Sequence, residues 1–345
     1  MVGDHAQEAD PAVNAVDLTA AFQGSTALVT GGMGFIGSHV ARRLVRLGAK
    51  VRVIDALLPD CGGNPFNLEG VREQVEVRIA DLRDSDALDE LLSGCDHVFN
   101  LAGKVSHVDS MSQPLDDLEH NARAQLSLLE ACRRRAPAAR VVLASTRQVY
   151  GRPRYLPLDE EHPCEASDVN GVHKLAAEQY HRVYAAAYGI PSVVLRLTNT
   201  YGPGQLVKHA RQGFIGWFVR LAAEGKMIEV MGDGQQTRDL NHVDDVATAL
   251  LLAAASPRAV GRTYNLGATP PISLADLAAL LVELSEGASW QLVPFPPERA
   301  RIDVGNAYAS YAAIRRDLGW EPRTSLREGL AETLLYYRRH LDRYR

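Results

Sequence analysis

One stretch limits what this chain can become more than any other: Thr26-Ala-Leu-Val-Thr30, then Gly31-Gly-Met-Gly34-Phe35-Ile36-Gly37, then Ser-His-Val-Ala-Arg-Arg-Leu-Val-Arg. The first part is a short apolar run that reads as a buried strand. The last part carries helical periodicity, and three glycines spaced three apart join them. Glycines there let the backbone turn sharply and approach a pyrophosphate, whose charge then meets the N-terminus of the following helix. Gly31, Gly34 and Gly37, with Phe35 and Ile36 among them, are therefore the expected phosphate contacts of a dinucleotide site.

The rest of the chain keeps the same rhythm. KVRVID, VEVRIAD, HVFNLAG, RVVLAST and SVVLRLT are apolar runs with little alternation, separated by helical stretches, which is the pattern of parallel strands buried on both faces. The fold class is α/β: a doubly wound parallel sheet (Rossmann) with a smaller C-terminal substrate-binding lobe. Residues 1–22 read as a disordered lead-in, 23–203 with about 236–268 as the dinucleotide-binding domain, and 204–235 with 269–345 as the lobe. The second strand ends at Asp55, eighteen residues beyond Gly37, where an acid hydrogen-bonds the hydroxyls of an adenosine ribose and repels a 2′-phosphate. NAD is therefore favoured over NADP. Asp81-Leu82 and Leu101-Ala102-Gly103 close the third and fourth strands at their carboxyl ends, where open α/β sheets bind ligands.

Composition excludes other classes. The net charge of −5 comes with Lys and Arg dispersed among acids, so a nucleic-acid footprint is missing. The four cysteines, Cys61, Cys95, Cys132 and Cys164, lie far apart with no His at metal spacing, which predicts neither a zinc site nor a disulfide framework and favours a cytoplasmic protein. No run approaches the ~20 apolar residues that span a bilayer, and MVGDHAQEAD has no signal-peptide character.

Taken together, TGGMGFIGSH, VID, ADL, NLAG, a helix with Asn121, ASTRQVYG, NGVHKLAAE, LRLTNTYGP, GDGQQTRDLNHVDD, YNLG and LGWEP resemble the extended short-chain dehydrogenase/reductases of the nucleotide-sugar epimerase and dehydratase group. The resemblance implies a bound NAD that transiently oxidises a carbon of a UDP-, dTDP-, GDP- or CDP-linked sugar. It implies Asn121, Ser145 and Lys174 as further cofactor contacts, and Thr146 beside the reacting hydroxyl. It places Lys104 and Asn199 toward the substrate, and Arg238 on the diphosphate with Arg299 or Arg301 as a second clamp. Arginine suits that task because its planar fork binds phosphate oxygens bidentately. Two helices, around Leu118–Arg135 and Val172–Tyr188, would form a homodimer contact.

The chain departs from the family at two places. Where the family carries Tyr-x-x-x-Lys, this sequence reads Asn170-Gly-Val-His-Lys174: the lysine is kept and the phenol is gone. An asparagine amide orients a hydroxyl or a water but does not titrate near neutrality. The proton must then move through Lys174, His107, Tyr150 or a water held by Asn170, whereas His173 points about 100° away from Lys174 around the helix. Where dehydratases of the family follow the threonine with Asp-Glu, this chain has Arg147-Gln148, which argues against 4,6-dehydration. Arg147 holds an anionic group of the substrate, such as a uronate carboxylate, or else forms a structural salt bridge. The expectation is an epimerase with a displaced base; the alternatives are a binding protein without turnover, or a dehydratase, decarboxylase or reductase.

Overall fold

The computed structural model describes residues 16–295 and 303–345. Seven parallel strands form one sheet: β1 (Thr26–Thr30), β2 (Lys50–Asp55), β3 (Val75–Ile79), β4 (His97–Asn100), β5 (Arg140–Thr146), β6 (Ser192–Leu197) and, after four short strands, β11 (Thr263–Leu266). Their spatial order is β3-β2-β1-β4-β5-β6-β11, so the winding reverses between β1 and β4 and opens a crevice at the carboxyl ends of those two strands. Register is set by the apolar runs: Val29 of β1 stands between Val53 of β2 and Phe99 of β4.

Helices cover both faces, as continuous apolar strands require. On one side α1 (Leu18–Phe22), α2 (Phe35–Arg46), α9 (Val243–Ala255) and α11 (Ala312–Leu318) pack on Ala27, Val29, Val53 and Val142. On the other, α3 (Ser85–Leu92), α6 (Ala124–Arg135) and α7 (Val169–Tyr188) pack on Leu28, Ile54, Val98 and Val141. Alternate residues of β1 thus feed two separate cores. Between β4 and α6 the chain forms α4 (His107–Ser112), α5 (Pro114–Leu118) and one π-helical turn, Glu119–Arg123.

A third core holds the C-terminal part together. It joins α8 (Phe214–Ala223), α10 (Leu274–Glu283) and α12 (Leu326–His340) to the parallel pair β8 (Met227–Met231) and β13 (Ser289–Val293). The short strands β7 (Asn199–Tyr201) and β10 (Leu240–His242) pair in parallel, and β9 (Thr237–Arg238) pairs with β12 (Ile272–Ser273). One sequence expectation needs correction. Residues 18–22, assigned to the disordered lead-in, form α1: Asp17 caps it by accepting the Thr19 and Ala20 N–H groups at 2.9 and 3.1 Å, and Phe22 is fully buried against His97 and Phe99.

Candidate active site

The cleft at the switch point is lined by the glycine turn, the ends of β2 to β5 and the start of α7. Gly31 has φ +65°, and a Cβ there would stand 3.0 Å from the Ala102 Cα; a Cβ on Gly37 would land on the Gly31 carbonyl oxygen. Only glycine permits this turn, which exposes the first N–H groups of α2. The loop after β4 is fixed by Thr30, whose Oγ1 accepts the Leu101 and Ala102 N–H groups, each at 3.0 Å. Asp55 ends β2 in the cleft; burial pushes its carboxyl up against the opposing pull of the Leu57 and Met33 N–H groups it accepts. Each oxygen keeps lone-pair capacity for a ribose hydroxyl. Asp81 and Leu82 also line the cleft, with Asp81 held ionised chiefly by Arg83. These residues fit NAD.

The proton-transfer end is organised by a residue the sequence did not single out. Asp117, almost fully buried, accepts from Asn121 Nδ2 at 3.0 Å, Asn170 Nδ2 at 2.9 Å and His173 Nδ1 at 2.7 Å. Both amides give their second Nδ2 hydrogen to the Lys104 carbonyl. The π turn contributes here, because its extra residue directs Asn121 inward, where Oδ1 accepts the Lys104 N–H at 3.1 Å. Asn170 therefore borders the cleft with both donor hydrogens committed, which leaves it none for a water or a substrate oxygen. His173 is likewise tied to Asp117.

Lys174, one turn beyond Asn170, is buried; desolvation pushes its amine down to about 8, with Asp117 opposing. No side chain fits between the amine and the β4 loop, since a Cβ on Gly103 would sit 2.6 Å from Nζ and 2.5 Å from Asn121 Oδ1. Tyr150 is removed from consideration as a base. It is fully buried, donates to Asn265 and accepts from Arg196, and burial pushes its phenol up to about 12.

His107 is held from both sides. Its Nδ1 lies 2.5 Å from Asp168 Oδ2, and its Nε2 accepts from Gln148 Nε2 at 2.5 Å. Asp168 is the N-cap of α7, accepting the Gly171 N–H through Oδ1 at 2.7 Å. Burial works to raise the Asp168 carboxyl, but chiefly the hydrogen bond from His107 holds it low. An ionised carboxylate only accepts, so Nδ1 carries the ring proton and the Nε2 lone pair faces the cleft. Thr146 also lines the cleft and accepts the Gln148 N–H at 3.2 Å.

Several predicted contacts are engaged within the chain. Ser145 borders the cleft but donates its hydroxyl to Glu178 at 2.5 Å, in a buried pair of Glu178 with Arg196. Asn199 borders it and donates to the Asp239 carbonyl at 3.0 Å. Lys104, expected at the substrate, instead bonds Asp116 through Nζ and is not part of the cleft wall. Arg238, expected on a diphosphate, is buried and donates to the Thr237 and Gly305 carbonyls at 2.9 and 2.5 Å, outside the cleft wall; burial and then Arg147 push it down to about 10. Arg299 and Arg301 lie outside the described residues.

Comparison with known proteins agrees with this geometry. The family described as NAD dependent epimerase/dehydratase matches residues 27–267. A putative UDP-glucose 4-epimerase of Methanocaldococcus jannaschii is 33% identical over 307 residues, covering 88% of this chain and 95% of that protein. The solved epimerase of Methanothermobacter thermautotrophicus superimposes with TM-score 0.87 at 28% identity, covering 95% of this chain and 96% of that one. The dTDP-glucose 4,6-dehydratase of Streptomyces venezuelae, solved with NAD bound, gives 0.81 at 29% identity and covers 92% and 98%.

Proposed function

The chain belongs to the NAD-dependent epimerase/dehydratase family, enzymes that modify nucleotide sugars, and from that premise we propose that it is a nucleotide-sugar epimerase whose proton is moved by His107 instead of a tyrosine. The observation that carries this reading is the Asp168–His107 pair, which holds His107 in the wall of the cleft that Thr146 also lines, with Nε2 toward Gln148. Bound NAD supplies the hydride acceptor and donor for the sugar carbon. Thr146 orients the sugar hydroxyl, and His107 Nε2 receives its proton once the substrate displaces Gln148. Asp168 fixes the tautomer and stabilises the imidazolium that results, and His107 returns the proton when the carbon is reduced on its other face. Gln148 serves either charge state: its Oε1 has no partner among the described residues, and an amide turned end for end would offer that oxygen to the protonated ring. Arg147-Gln148, in place of two carboxylates, supports epimerisation over dehydration.

A second reading gives the proton to Lys174, favoured by the downward push on its amine. Wild-type turnover in His107→Ala would select it over the first. To test the reaction class, the protein is incubated with UDP-, dTDP-, GDP- and CDP-sugars in deuterium oxide and the products are analysed by NMR and mass spectrometry. An inverted centre without solvent label is expected. Label beside a transient ketone would assign a dehydratase or decarboxylase instead, and no change in any sugar would leave a binding protein.

The reading extends to organisation. We assign the sheet with its helices to the NAD-binding domain (23–203 with about 236–268) and the third core to a nucleotide-sugar lobe (204–235 and 269–345). The homodimer contact expected through the helices around Leu118–Arg135 and Val172–Tyr188 is supported by the exposed Leu118, Val172 and Val183, with the exposed Leu115 of α5 beside them. A cytoplasmic setting is supported by four free cysteines. No helix among the described residues is long and apolar enough to cross a membrane.

A further inference from the structure

Arg147 is the one cleft-lining arginine, among the described residues, and it is spoken for by nothing. It follows Thr146 directly and is half-buried, and desolvation lowers its pKa, with Asp239, Asp168 and Asp303 opposing from a distance. No carboxylate oxygen lies within 4.0 Å of its guanidinium among the described residues. The three acids are engaged elsewhere. Asp168 holds His107 and the Gly171 N–H; Asp239 Oδ2 accepts the Ala268 and Ala309 N–H groups; Asp303 accepts from Gln236 and from the Gly305 N–H. Arg238 stands close enough to repel it electrostatically. A structural salt bridge, the ordinary reason for such a residue, is thus missing.

A guanidinium with five donors costs free energy when a ligand strips its water, unless the ligand supplies acceptors. Its position narrows what those acceptors are. Thr146 and His107 flank the reacting hydroxyl in the reading above, and Arg147 lines the same cleft one residue on from Thr146. We propose that Arg147 selects a nucleotide sugar bearing a carboxylate, a uronate or a related acid sugar, by bidentate pairing with that group. This rests on the epimerase reading of the same cleft and names its substrate class. A neutral hexose would cover the guanidinium and leave its donors unsatisfied, which is how a site of this kind rejects a substrate lacking the group.

The test uses the NAD-saturated full chain and matched pairs, a hexose and its uronate, each carried on UDP, dTDP, GDP and CDP, with affinities measured by calorimetry. For the nucleotide that binds, the uronate is expected to bind about tenfold to a hundredfold more tightly than the hexose. Arg147→Met should collapse that ratio to about one or below, and Arg147→Lys, which keeps the charge without the fork, should give an intermediate ratio. Equal affinity within every binding pair, or a preference for the hexose, overturns the inference and leaves the epimerase reading standing. A parallel loss of both pair members in Arg147→Met assigns the guanidinium to the diphosphate and overturns it likewise. Should no member of any pair bind, the nucleotide-sugar reading itself falls, and this inference with it.

Discussion

Putting the family's tyrosine back at position 170 would not put its chemistry back. Asn170 is 1% exposed, and its amide hydrogens are held by Asp117 and the Lys104 carbonyl. A phenol there strips Asp117 of one donor and overfills a packed site, each at about 1–3 kcal/mol. Asn170→Tyr should therefore unfold at lower denaturant and turn over no faster than the wild type; a variant of full stability and higher kcat would contradict the network described. His107 should behave in the opposite way, as a residue whose loss spares the fold and removes the chemistry. His107→Ala is expected to lower kcat by about 10²–10⁴. Asp168→Asn separates two roles of one side chain, since asparagine caps a helix about as well as aspartate. Its amide can donate to Nδ1 and so hold the wrong tautomer, and kcat should fall toward the His107→Ala value while the melting temperature changes little. If Asp168→Asn retains full turnover, the pair is structural only.

Helix α7 shows what a buried cation does to the element that carries it. Lys174 is pushed from 10.5 down to about 8 by burial, so between those two values the unfolded chain binds more protons than the folded one. Stability contributed at this site therefore rises with pH across that window, and below about 8 the full penalty applies, of order 3 kcal/mol. Lys174→Met should raise the melting temperature at pH 7, flatten its rise between pH 8 and 10.5, and abolish turnover; a lowered melting temperature at pH 7 would show the amine to be better paired than it looks. The sequence made most of this helix visible, as Val172–Tyr188, just as it made the parallel strands, the glycine turn and Asp55 visible. Each of those depends on period or turn geometry within a few residues. What it hid depends on reach across the chain. Asp168 caps α7 with one oxygen, but its second oxygen meets His107, 61 residues upstream. Asp117 gathers partners from α7 and the π turn, and no local pattern announces a hub of that kind. Lys104 and Arg238 match the family's ligand contacts in type, and the acceptors that engage them here, Asp116 and the Gly305 carbonyl, are likewise not announced by any local pattern. Helix α1 was missed because five residues carry too little periodicity to register.

The reversal of strand order between β1 and β4 assembles the site, because it brings the glycine turn, the β4 loop and the start of α7 to one end of the sheet. The helices that carry Asn170, Lys174 and Asp117 also carry exposed apolar side chains. Leu115 on α5 is 75% exposed, and Val172 and Val183 on α7 are 52% and 54% exposed. Val172 and Val183 are three helical turns apart and so share a stripe, and exposed aliphatic groups concentrated on adjoining helices mark an association surface more readily than singly scattered ones do. A second copy packed there would cover the stripe and hold α7 against the sheet. Light scattering should accordingly report a dimer at micromolar concentration. Leu115→Glu combined with Val183→Glu, which places charge on that surface without touching the cleft, should report a monomer. The helical circular dichroism of that monomer should be unchanged, since neither side chain is in any of the buried cores. A wild-type chain that elutes as a monomer would leave this face unpaired and would require α7 to be held in place by its own core contacts alone.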